Sequence, residues 1–251
     1  MQESVAIVGR GRVGTALAAA LAAAGARVIG PLGRGELPPA DAAVVILAVS
    51  DSAIEAAART IPAGPLLAHC SASAPISLLG PREAFIIHPL LSVTGIDTAF
   101  AGAGCVVSGT SPRAVAAGER IAHVLGMRVA TVRDEDRALY HAAASMASNF
   151  LTTLEGEAER LMASLTIDRG LLAPLVKGAV DSWARHGAAV ALTGPIVRGD
   201  DVTVERQRQA IASRAPELLP MWDVLAERTR VLAAASRAAR EAAVPATLDP
   251  A

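Results

Sequence analysis

Aromatic side chains are almost missing from this chain: three Phe, two Trp and one Tyr among 251 residues. Ala, Leu and Val must therefore fill any core, a composition that suits Ala-rich helices in close approach. An excess of one charge is missing too. With 23 Lys and Arg against 24 Asp and Glu, the net charge of −1 gives no electrostatic case for nucleic acid or an acidic membrane surface. Two cysteines, Cys70 and Cys105, make neither a disulfide framework nor a metal cluster, and they fit a reducing compartment. The one lysine, Lys177, is given no role. No run reaches the ~20 strongly apolar residues of a bilayer span. Val5–Val8 is too short for a signal-peptide core, and acidic Glu3 precedes it. No fixed-period repeat is present. A cytoplasmic protein without membrane, metal or nucleic-acid partner is the expectation.

What is present is apolar: 52% of the residues are hydrophobic. The first half alternates short β-rich runs with Ala-rich helical runs, the pattern of a parallel sheet covered by helices. Strands are expected at Val5–Val8, Arg27–Ile29, Ala43–Val49, Leu66–His69, Ala84–Ile87, Cys105–Val107 and Arg128–Val132. Helices are expected at Thr15–Ala24, with Gly25 as C-cap, from the Ser50–Asp51 cap to about Thr60, and at Pro112–Leu125. Pro31–Pro39 reads as loop. The texture changes at Asp134, after which only helices are expected: Glu135 to about Leu165, Leu171–Gly187, Thr203–Ser213 and Pro216–Ala243. Pro245–Ala251 reads as a frayed tail. The fold class is thus α/β, with an N-terminal parallel-sheet domain over 1–133 and an all-α domain over 134–251.

Residues 5–14 read VAIVGRGRVG, in which Gly9-x-Gly11-x-x-Gly14 follows a buried strand and opens a helix. That is the context a dinucleotide-binding turn needs. Gly9 permits the tight turn, Gly11 lets backbone approach a pyrophosphate, and Gly14 lets helix and strand pack closely. The helix N-terminus offers unpaired N–H groups to phosphates. NAD-binding folds usually carry an acid about 20 residues on, for the ribose 2′-OH. Here no acid falls between Glu3 and Glu36, while Arg10 and Arg34 are at hand. Guanidiniums without a carboxylate suit a 2′-phosphate, so NADP(H) is the expected cofactor. Its expected contacts are Gly9, Arg10, Gly11, Arg12, Val13, Gly14, Arg34, Val49, Ser50 and Ser71.

Ligands of open α/β sheets sit beyond the carboxyl ends of the strands. Three such ends are polar: Ser50–Asp51, His69 to Ser73, and His88. His88 is a candidate acid because an imidazole exchanges protons near neutral pH, whereas a hydrogen-bonded structural role is expected of His69. On the long helix, His141, Ser145, Ser148 and Thr152 form one polar stripe with Asn149 beside it. A buried polar stripe is costly unless satisfied, either inside a helix bundle or by a polar substrate. His141 is read as a proton donor, and Asn149, Ser145 and Ser148 as substrate contacts. Farther on, Thr193 and Arg198 sit in a Gly-Pro/Gly-Asp loop, where Arg198 could clamp a carboxylate.

These residues resemble a family. The loop at 9–14, LAVSD at 47–51, HPL at 88–90, YHAAASMASNF at 140–150 and LTGPIVRGD at 192–200 are similar to the short Rossmann-plus-helical oxidoreductases. That group is related to pyrroline-5-carboxylate reductase and 6-phosphogluconate dehydrogenase. The likeness is greatest to a branch labelled by a domain of unknown function, some members of which act as alternative ketopantoate reductases in pantothenate biosynthesis. The resemblance covers nearly the whole chain and implies a homodimer in which helical domains pack together. It implies an NADPH-dependent reduction of a small 2-oxo acid. An imine reductase, or a non-catalytic NADP(H)-binding sensor, is the alternative. Better-known relatives carry Lys-x-x-x-Asn on the inter-domain helix. Here Asn149 is present and Ser145 replaces the lysine. A His found after the LTGPIVRGD loop in relatives is also absent, the chain reading Val204-Glu205-Arg206-Gln207.

Overall fold

The computed structural model describes residues 4–243; the tail expected at Pro245–Ala251 lies outside them. The chain divides into two compact units, residues 1–152 and 153–251.

In the first unit seven strands form one sheet: β1 (Ser4–Val8), β2 (Arg27–Leu32), β3 (Val44–Leu47), β4 (Leu66–His69), β5 (Ala84–Leu90), β6 (Gly104–Gly109) and β7 (Arg128–Ala130). They are ordered β2-β1-β3-β4-β5-β6-β7. All neighbours are parallel except β5 and β6. Helices α1 (Arg12–Ala23), α2 (Ile54–Thr60) and α3 (Pro112–Val124) connect them. The apolar strands are buried on both faces, as helix-covered parallel sheets require. One cluster joins Val5, Ile7, Leu17, Leu21, Ile46 and Phe85 to α3; the other joins Val45, Leu47, Ile54, Leu67 and Leu79.

Local signals end the elements where expected. Gly25, at φ 76°, closes α1 in a Schellman arrangement: its N–H donates to Ala22 O, and Ala26 N–H donates to Leu21 O. Ser111 caps α3 by accepting from Ala114 N–H. Two expectations need correction. Strand β2 continues through Gly30-Pro31 to Leu32, because its ladder to Val8 resumes past a register shift. Ser50 makes no side-chain cap bond; a 3-10 turn at Asp51–Ala53 precedes α2, and the Asp51 carboxylate is engaged elsewhere.

The run expected as one helix from Glu135 has three parts. Helix α4 (Arg137–Ser145) passes through a π-helical turn (Met146–Phe150) into α5 (Leu151–Ala163). The first unit thus extends beyond residue 133 to 152. The second unit is helical among its described residues. It holds α6 (Ala173–His186), the short α7 (Ala188–Ala191) and α8 (Pro195–Arg198), α9 (Asp201–Arg214) and α10 (Leu219–Ala243). Its small centre is built on Ile211, Ala215 and Leu218.

Gly118 marks how tightly α3 meets the sheet. A Cβ there would lie 2.7 Å from Val107 Cγ1 and 2.9 Å from the Phe85 ring. Neither neighbour is a flexible side-chain end. Gly118→Val is expected to lose about 1–3 kcal/mol of stability through overpacking, read as a lower urea midpoint at unchanged m-value.

Candidate active site

Strand order reverses beside β1, which lies between β2 and β3. Crevices form at such a switch point, beyond the carboxyl ends of the strands. The glycine turn occupies it. Gly9 has φ 120°, and a Cβ there would fall 2.2 Å from Ala48 O; a Cβ on Gly14 would fall 2.0 Å from Gly9 O. Only glycine fits either place. Around the Gly11 Cβ position nothing lies within 4 Å, so the start of α1 faces open space. No acid stands in the first turn of α1. The turn, its spare N–H groups and that space fit a dinucleotide pyrophosphate.

Two clefts flank the turn. The first, of about 700 Å³, is lined by Gly9, Arg10, Arg34, Val49 and Ser50 together with Gly33, Glu36 and Leu37. It brings together five of the expected cofactor residues. It also supplies a carboxylate that the spacing of acids did not foresee. The turn after β2 folds Glu36 back on Arg10, whose Nη2 donates to both carboxylate oxygens at 2.7 and 2.9 Å. Gly33 N–H donates to the same carboxylate at 2.8 Å. That backbone bond, with the Arg10 charge, holds the Glu36 carboxyl below its usual range.

The second cleft, of about 810 Å³, is lined by Arg12, His88, Leu90 to Thr94, Tyr140, His141, Ser145, Ser148, Asn149 and Thr152. The stripe read from the sequence therefore faces one cavity together with the His at the end of β5. It is half-buried to exposed, so the cost of burying it is not incurred. The wide π-helical turn carries Ser148 and Asn149, and such turns concentrate at functional sites. Ser148 Oγ lies 3.1 Å from Ser92 Oγ.

Tyr140 was not singled out from sequence. Its hydroxyl lies 2.6 Å from His88 Nδ1, with the rings edge to face at 5.6 Å. The available signal was its place beside His141 as the chain's one tyrosine. One helical turn earlier, Arg137 is 2% exposed. Its Nη2 donates to Ser71 O at 2.8 Å and its Nη1 to Ser108 Oγ at 3.4 Å, while Nε has no partner. Burial first, then Arg137, push the His88 pKa down to about 4, so the imidazole is neutral at pH 7. Burial raises Tyr140 to about 12, which keeps the phenol protonated.

The remaining candidates are scaffold or lie elsewhere. The Ser71 hydroxyl donates to Asp51 Oδ2 at 2.8 Å and accepts from the N–H groups of Ser73 and Ala74. It ties the β3 and β4 ends together and has no capacity left. His69 is fully buried, and its Nδ1 accepts from Ser71 N–H. Val13 lies in the first turn of α1. Thr193 and Arg198 are exposed in the second unit, Arg198 ending α8 before left-handed Gly199. Among the described residues no group of three or more His, Cys, Asp or Glu could hold a metal ion, and no helix is long and apolar enough to cross a membrane.

A mostly parallel sheet opened at its switch point by a glycine turn, followed by a helical unit, defines the Rossmann-plus-helical class. The chain belongs to the family described as a domain of unknown function, DUF2520, matched over residues 103–229. No curated protein matches it. Among solved structures it is similar to a candidate NADP oxidoreductase from Bacteroides fragilis. The identity is 19%, the match covers 91% of this chain and 98% of that one, and the TM-score is 0.77. It is similar to a reductive aminase from Aspergillus terreus in complex with NADPH and ethyl-5-oxohexanoate, at 20% identity over 91% and 93%, TM-score 0.66. It is also similar to the NADP-bound pyrroline carboxylate reductase of Plasmodium falciparum, at 13% identity over 92% and 98%, TM-score 0.60. These likenesses establish a shared fold.

His69, also pushed down to about 4 chiefly by burial, and His88 predict a pH effect. An unfolded histidine takes up its proton near pH 6.5; the native chain takes up these two only near pH 4. Between those values the unfolded state binds more protons, so stability falls as pH drops through the window and is intact above it. Both imidazoles should titrate below pH 5 by NMR, and the urea midpoint should fall from pH 7 to pH 5. Midpoints near 6.5 for both rings would contradict this electrostatic picture.

Proposed function

We propose that this protein is an NADP(H)-dependent reductase of a small 2-oxo acid, with ketopantoate reduction to pantoate as the specific reading. The observation that carries it is the second cleft, where a protonated phenol, two imidazoles and three side chains able to hydrogen-bond a substrate gather beside Arg12 of the glycine turn. A nicotinamide bound here supplies a hydride. The protein's part is orientation and a proton. The first-turn N–H groups hold the pyrophosphate, and Arg34, with Arg10 bonded to Glu36, lies on the adenosine side. Ser145, Ser148 and Asn149 orient the carbonyl. Thr193 and Arg198, in the second unit, are proposed as substrate contacts on their hydrogen-bonding chemistry alone.

Because neutral His88 has no imidazolium proton to give, the proton for the forming alkoxide comes from Tyr140. His88 holds that hydroxyl and, in its Nδ1–H tautomer, stabilises the phenolate as it forms. His141, exposed on the same cleft, is the second candidate donor. Ser145 supplies only a hydroxyl where better-known relatives have an ammonium, so donation cannot fall to that position.

The NADP-dependent and imine-reducing proteins of the same fold support the cofactor and keep an imine substrate as the second reading. A homodimer through the helical domain is supported by apolar exposure on its helices, with Leu171 71%, Leu175 70% and Trp183 57% exposed. Two free cysteines suit a cytoplasmic setting.

The test is NADPH oxidation with ketopantoate, pyrroline-5-carboxylate and prephenate-like acids in parallel, with turnover on ketopantoate expected. Saturable NADPH binding without turnover on any of them would favour the sensor reading instead. Tyr140→Phe should lower kcat by roughly 10²–10⁴-fold, the usual worth of a general acid, and leave NADPH affinity unchanged. Full turnover by this variant, with a loss confined to His141→Ala, would move the donor to His141. Light scattering should give twice the monomer mass, and a monomer at micromolar concentration would remove the dimer.

A further inference from the structure

The Arg10–Glu36 pair bears on which dinucleotide the first cleft accepts. In a fold with a glycine turn after β1, the adenosine ribose lies over the end of the second strand, where a carboxylate receives a 2′-hydroxyl or an arginine a 2′-phosphate. This chain puts both groups there and bonds them to each other. Arg10 is fixed twice, by Nε to Pro31 O at 3.2 Å and by Nη2 to both Glu36 oxygens. Gly33 completes the arrangement. Its N–H goes to Glu36, Glu36 N–H returns to Gly33 O at 3.2 Å, and a Cβ at Gly33 would meet the Arg10 guanidinium at 3.1 Å. Two donors that a 2′-phosphate would use, Arg10 Nη2 and the Gly33 N–H, are thus already held by a carboxylate.

Resting on the dinucleotide reading above, we infer that Glu36 is a specificity-determining residue that limits preference for the 2′-phosphorylated cofactor by occupying the donors its phosphate needs. A ribose 2′-hydroxyl can donate to the Glu36 carboxylate with the pair intact. A 2′-phosphate must displace that carboxylate or bind next to a like charge. Discrimination built on such opposition is common, because an unfavourable contact with one ligand separates two affinities as well as a favourable contact with the other.

The probes are 2′,5′-ADP and 5′-AMP, which differ only in the 2′-phosphate, titrated calorimetrically against the full chain, with NADPH and NADH as the complete ligands. Glu36→Gln keeps the shape and removes the charge; Glu36 is exposed, and an unchanged Tm verifies the fold. The variant should bind 2′,5′-ADP about tenfold tighter or more, a change of about 1.4 kcal/mol, and 5′-AMP no tighter. Adding Arg10→Ala to Glu36→Gln should abolish the gain. A 2′,5′-ADP to 5′-AMP affinity ratio equal in wild type and Glu36→Gln overturns the inference while leaving dinucleotide binding intact. So does a gain that survives the loss of Arg10. Failure of both proteins to bind NADPH and NADH overturns the dinucleotide reading and this inference together.

Discussion

One buried guanidinium ties the second cleft to the sheet. Arg137 starts the helix that forms one wall, and through Ser71 O it is fastened to the backbone just past β4. Taking a charge this far from water costs several kcal/mol unless hydrogen bonds and nearby charge offset it. No carboxylate bonds Arg137 among the described residues; it donates to a carbonyl and a hydroxyl. Its acceptor, Ser71, is itself fixed by Asp51 from the β3 end. Three strand ends and the first turn of α4 therefore form one bonded unit. The guanidinium has an electrostatic consequence as well: it acts with burial to keep His88 neutral. A neutral imidazole can donate from one nitrogen and accept at the other, which is what holding the Tyr140 hydroxyl requires.

The elements were legible because their signals are local. Apolar runs, the glycine turn and the Gly25 stop each act within a few residues, and the sheet and helices follow from them. The stripe at His141, Ser145, Ser148 and Thr152 was legible as a spacing on a helix. The cavity it lines was not, since its other wall comes from Leu90 to Thr94, about fifty residues earlier. Arg137 looks from sequence like any surface arginine at a helix start; only the carbonyl of Ser71, far away in the chain, makes it internal. Glu36 was hidden for the opposite reason. It is only four residues past the end of β2, and it reaches Arg10 because the turn at Gly33 folds the chain back. Counting acids along the sequence measures spacing, whereas ribose recognition depends on which side chains meet over the strand end.

Arg10 and Arg12 stand one residue apart, yet each lines a different cleft. Gly11 between them leaves open space at the helix start. On the dinucleotide reading proposed above, this division sets phosphates over the turn, adenosine toward β2 and nicotinamide toward β5. The second cleft has a wall of alanines broken by hydroxyls, an amide and imidazoles. Leu90, Leu91, Val93 and Leu151 line the same cleft, so it offers apolar surface as well as hydrogen-bonding groups.

The scarcity of aromatics also shapes the second unit. Among its described residues the buried apolar side chains are Val204, Ile211, Leu218 and the alanines 215, 226 and 233. Alanine removes little apolar area from water, and hydrophobic stabilisation scales with area at about 25 cal/mol per Å². Meanwhile larger side chains, Leu171, Leu175 and Trp183 among them, stay exposed. The homodimer proposed above would cover part of that surface, which the small core of this unit leaves exposed.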